Sequence, residues 1–107
     1  MPFEFGDVVL VRFPFTNQTD AKQRPAVVVS KRSYNEARPD VVAMAITTNL
    51  DPGEVLITSW QSAGLLRPSA LKPLFATFEQ SLVVRRFGTL SLDDQIALRK
   101  LINSVLG

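Results

Sequence analysis

Residues 6–13 read GDVVLVRF, and the segment is apolar on both sides. Alternation puts Val8 and Leu10 on one face and Val9, Val11 and Phe13 on the other. Such a strand belongs in a sheet covered on both faces, strongly curved or closed into a barrel. Residues 26–30 and 41–47 have the same character. Pro14 stops the first strand, and Pro25 opens the second, where a missing N–H does least harm. Residues 54–58 alternate cleanly and read as a fourth strand. Residues 69–72 and 75–79 read as two short strands separated by Pro73, and 83–90 as a last strand broken by Gly88. Residues 31–40 suggest a loop or one helical turn, and 49–53 and 60–64 turn the chain.

A helix follows. Ser91 is a good N-cap, Asp94 takes the third helical position, and Asp93 and Asp94 sit at the positive end of the dipole. Leu92, Ile96, Leu101, Ile102, Val105 and Leu106 recur at helical spacing and are expected to form the stripe that packs on the sheet. With 107 residues and 46% apolar content, the chain fits one domain over 1–107 with one core. The expected class is α+β: a small antiparallel β-barrel with a C-terminal α-helix. No apolar window is long enough for a membrane span, and the N-terminus has no signal-peptide pattern, so the cytoplasm is the expected location.

The chain has no cysteine and no histidine. Disulfides, thiolate metal sites and histidine-based acid–base or nucleophilic machinery are thereby excluded. The carboxylates are scattered without a ligand-like spacing, so neither metal nor cofactor is expected. Net charge is only +2, but the basic residues cluster at Lys22/Arg24, Lys31/Arg32 and Arg85/Arg86. Local potential of that kind attracts a polyanion.

Between the first two strands lies a polar loop ending in Arg24-Pro25. Polar side chains held between core strands make a site on a rigid scaffold. By residue type alone Arg24 is an ordinary surface cation, a partner for Asp20, or the centre of such a site, for which its planar guanidinium is suited because it matches two phosphate oxygens and stays charged. Pro25 biases Arg24 toward extended backbone.

The series GDVVLVRF, RPAVVVS, AITTN, LLRPSALKP and RRFGTLS, in that order before a terminal helix, resembles the MazF/PemK family of toxins from toxin–antitoxin pairs. The resemblance runs from Gly6 to Leu106. It implies an SH3-like, plasmid-toxin-type barrel, a homodimer and a cognate antitoxin. It also implies metal-independent, sequence-specific endoribonuclease action on single-stranded RNA. The family's catalytic arginine matches Arg24 and its catalytic threonine matches Thr47, with Thr48 directly after it. Asp20 is the acid nearest the loop position where some members carry a glutamate. Ala21-Lys22-Gln23 stand where such members carry glycines, a departure that bears on loop shape and sequence preference.

The chemistry suits these residue types. Attack of the RNA 2′-OH on the adjacent phosphate gathers negative charge on the phosphoryl oxygens, which fixed cations and hydroxyl donors stabilise. Phe15 is placed to stack on a base. Lys22 suits a flanking phosphate, Thr16, Asn17 and Gln23 suit base edges, and Thr48 is grouped with them as an RNA contact; Asp20 is the candidate base. Two rival readings share the fold: a toxin that binds protein, such as a DNA gyrase poison, and a non-catalytic barrel that binds nucleic acid or peptide.

Overall fold

A computed structural model describes residues 3–13 and 22–107. Its elements are β1 (Asp7–Phe13), β2 (Lys22–Val28), a six-residue helix α1 (Arg32–Ala37), β3 (Asp40–Thr47), β4 (Val55–Leu56), β5 (Ala70–Glu79), β6 (Val83–Thr89) and α2 (Leu92–Leu106). The strands form one six-stranded sheet in the order β4-β5-β3-β2-β1-β6, with every pairing antiparallel. The expected class, an antiparallel, barrel-like sheet with a C-terminal helix, is what the structure shows. The sheet curls without closing.

Curling gives the sheet two apolar cores. One face carries Val8, Val27, Met44, Ile46 and Leu71, covered by Leu90 and Leu98. The other carries Val9, Val11, Ala26, Val28, Ala43 and Phe78, covered in part by Phe3, Leu82 and Val83. The double-sided apolar character of residues 6–13 is explained by this arrangement. The segment 57–69 packs under β6 so closely that the backbones touch. An added Cβ on Gly64, whose φ is +89°, would lie 2.6 Å from the Phe87 carbonyl oxygen; one on Gly88 would lie 2.8 Å from that of Ala63. Only glycine fits such an approach.

Several expected boundaries are corrected. β2 begins at Lys22, so Pro25 lies inside the strand. β4 is shorter than 54–58. β5 runs unbroken through Pro73, because a bulge absorbs the proline: Ala45 opposes Lys72 and Met44 opposes Phe75, leaving Pro73 and Leu74 unopposed. Gly88 is paired within β6 rather than breaking it.

The helix is capped as expected, the Ser91 hydroxyl accepting from the Asp94 N–H at 3.2 Å. Its buried stripe is different. Leu98 is fully buried, whereas Leu92 is 77% and Ile96 55% exposed; Val105 and Leu106 are exposed too. Asp94 sets this rotation. Its carboxylate is buried and accepts from the Thr58 N–H at 2.9 Å, the Thr58 hydroxyl at 2.7 Å and the Ser59 N–H at 2.9 Å. Tying Asp94 to that turn brings Leu98 and Leu101, at i+4 and i+7, onto the sheet. The Asp93-Asp94 pair therefore does more than complement the helix dipole.

Burial alone would raise the Asp94 pKa. The Ser59 N–H, the Thr58 hydroxyl and N–H, and Ser91 outweigh it, and the net direction is down. No helix among the described residues is long and apolar enough to cross a membrane.

Candidate nucleic-acid site

The site begins where two strands part. β2 pairs with β1 along its whole length, from Val8↔Val27 to Phe13↔Lys22. Toward β3 the ladder stops at Ala26↔Ala45. Pro25 comes next and has no N–H to carry the ladder further. Arg24 and Thr47 each lie two residues past the last paired positions, Ala26↔Ala45, and by alternation fall on the face that also carries Ala26 and Ala45.

That gap is a cleft of about 310 Å³. Arg24, Thr47 and Lys72 line it together with Ala45 and Leu74. Its floor is low at Ala45, which lies between Ala26 on one side and Lys72 on the other. Among the described residues no ion-pair partner is found for Arg24 or Lys72. The Thr47 hydroxyl accepts from the Asn49 N–H at 3.0 Å, which leaves its proton free to donate. The cleft thus joins two cations and a hydroxyl donor on a small-residue floor, an arrangement suited to an anion with several oxygens. Among the described residues no three acidic side chains converge into a metal-binding group.

The sequence-derived candidates divide. Arg24 and Thr47 line one cleft. Lys22 is exposed two residues along β2 from Arg24, on the same face. Gln23 alternates to the other face. Thr48 lines a separate cleft of about 210 Å³ with Leu10, Leu66 and Phe87, so neither Gln23 nor Thr48 joins the Arg24 cleft. Phe15, Thr16, Asn17 and Asp20 lie outside the described residues.

Of the other basic clusters, Arg32 pairs with Glu36 at 3.2 Å and Glu4 at 3.5 Å. Arg86 pairs with buried Asp7 at 3.3 Å, which also accepts from Thr89 and from the Glu4 N–H. Arg85 lies over the Phe87 ring, 5.3 Å from its centroid. Lys72 was missed by sequence reasoning. The signal available was Pro73, which marks a bulge, and bulges re-aim side chains beside sites.

The low floor makes a direct prediction. Ala45→Leu fills the cleft from below while the core beneath stays packed. The variant is expected to melt within a few degrees of the parent yet bind a polyanion such as inorganic polyphosphate about ten-fold more weakly. Melting curves and polyphosphate titrations check both halves.

The architecture matches solved structures over nearly its full length. A MazE–MazF crystal structure from Deinococcus radiodurans superposes with a TM-score of 0.80 at 20% identity, covering 100% of this chain and 98% of that one. A mycobacterial endoribonuclease solved in complex with its cognate antitoxin gives 0.75 at 17% identity, with 97% and 93% covered. The Mycobacterium tuberculosis toxin MazF-mt6 gives 0.75 at 18%, with 92% and 93% covered. These likenesses define the fold as that of the MazF-type toxins. None of the curated protein sequences compared with this chain matches it. The sequence profile described as "PemK-like, MazF-like toxin of type II toxin-antitoxin system" matches residues 4–106. The chain belongs to that family.

Proposed function

We propose that the protein is a sequence-specific endoribonuclease that cuts single-stranded RNA, mRNA above all, without a metal ion, and thereby halts translation and growth. The observation that carries this reading is the meeting of Arg24 and Thr47 in one cleft at the parting of β2 and β3. In the proposed reaction the 2′-OH loses its proton and its oxygen bonds to the adjacent phosphorus. The P–O5′ bond breaks, and the 5′ oxygen takes up a proton. A 2′,3′-cyclic phosphate and a 5′-hydroxyl remain, with no net redox change.

Arg24 holds the non-bridging oxygens as their charge grows, and Thr47 donates a hydrogen bond from its stiff strand end. Proton exchange with water completes the step, with Arg24 acting electrostatically, since a guanidinium gives up its proton at great cost. The family description and the mycobacterial complex support an antitoxin as partner. A two-fold homodimer working in the cytoplasm completes the reading.

Purified protein is expected to cut a random-sequence RNA pool in EDTA, leaving 5′-hydroxyl ends. A single 2′-deoxy substitution at the cut site is expected to stop cutting, because the nucleophile is gone. An RNA pool left intact, or gyrase-dependent DNA breaks without RNA cleavage, overturns the assignment.

A further inference from the structure

We infer that Lys72 is a substrate contact of this cleft, holding the phosphate next to the one at Arg24, so that the site grips two successive phosphates of one strand. The inference rests on the RNA reading above and names a residue for which the sequence offered no role.

The backbone places it. Pro73 cannot donate to the ladder, and with Leu74 it is pushed out of register between Ala45↔Lys72 and Met44↔Phe75. Lys72 is thus the last residue before the bulge, directly opposite Ala45. It lies in one row with Ala26 and Ala45. Arg24 stands on β2 and Lys72 on β5, with β3 between them, so about 10 Å separates the two strand axes. Between them β3 presents Ala45 to the cleft, whose short side chain lets both long side chains overhang a common floor. Rooted on strands that far apart, the two side chains line the same cleft from opposite sides, and a nucleic-acid strand laid across β3 offers them one phosphate each. Lys72 is exposed and lies in the same cleft as Arg24. An ammonium on a flexible stem acts as a point charge for a phosphate, without the bidentate demand that Arg meets at the reacting centre.

The test is binding rather than cleavage, so it does not depend on the chemistry. The probe is a single-stranded RNA oligonucleotide with a 2′-deoxy nucleotide at the cut site, titrated at several salt concentrations. Lys72→Gln is expected to weaken binding about five- to ten-fold and to flatten the log–log salt dependence by about 0.7, the release expected for one single-strand phosphate. Lys72→Arg is expected to restore both. Replacing the one phosphate beside the cut site with a neutral methylphosphonate is expected to weaken the parent equally and to leave Lys72→Gln unchanged. A merely structural lysine would not show that coupling to one phosphate. If the parent binds and cuts RNA while Lys72→Gln keeps the parent's affinity and salt slope, the Lys72 assignment fails alone. If the parent neither binds nor cuts RNA, the functional reading fails and this inference with it.

Discussion

Arg24→Ala is expected to fold and melt like the parent but to cut RNA about a thousand-fold more slowly. The fold should survive because Arg24 is exposed, and the pairing of Val11 with residue 24 uses backbone groups only. In the proposed reaction the rate should fall because the guanidinium shares one cleft with Thr47 and is the group assigned to hold the phosphate oxygens as charge collects on them in the transition state. Removing one preorganised donor of this kind costs about 10²–10³ in rate, and a phosphate-directed arginine more. Circular dichroism checks the first half and single-turnover cleavage the second. Arg24→Lys is expected to recover only part of the rate, since an ammonium cannot grip two oxygens with a planar fork. A folded Arg24→Ala protein that cuts at the parental rate would move the chemistry elsewhere.

Asp94→Asn is expected to cost about 3 kcal/mol of stability, lowering Tm by about 10–15 °C. The carboxylate accepts from the Thr58 N–H, the Thr58 hydroxyl and the Ser59 N–H. An amide keeps one acceptor oxygen and turns two N–H donors toward groups that are themselves donors. The cost should depend on pH in a defined sense. The Asp94 pKa is lower in the folded protein than its ordinary value. Its contribution is therefore complete above the unfolded value, near pH 4, and is lost as pH falls through the depressed folded value. Urea unfolding should show a wide gap between parent and variant at pH 7 that narrows below about pH 4. An unchanged gap in acid would mean that shape, not charge, is what Asp94 supplies.

These two residues were not equally legible. Both Arg24 and Thr47 were singled out by the family pattern, since an arginine before a proline or a threonine in a strand has ordinary structural uses of its own. Their meeting could not be read, because it depends on where the β2–β3 ladder ends. Lys72 was hidden for a related reason: the two residues left unopposed in β5 at Pro73 and Leu74 decide which side chain ends up opposite Ala45. Asp94 was recognised as a capping residue, but its three donors come from residues about 35 positions earlier in the chain, beyond any local pattern. Missing that tether, the periodicity of α2 assigned Leu92 and Ile96 to the core, when the pinned rotation buries Leu98 instead. The strands themselves were legible because both faces are apolar. Their ends were not, because prolines were taken as stops at positions where the sheet accommodates them.

The β1–β2 pairing carries one more consequence. Arg24 is held in register by its own hairpin, Val11 opposite Arg24 and Phe13 opposite Lys22, on strands anchored in the cores by Val8, Val9, Val11, Ala26, Val27 and Val28. On the proposed endoribonuclease reading, a graft of different length or composition at 14–21 is expected to alter which sequences are accepted while the arginine keeps its seat. Preference and chemistry can then be varied separately, by evolution or by design.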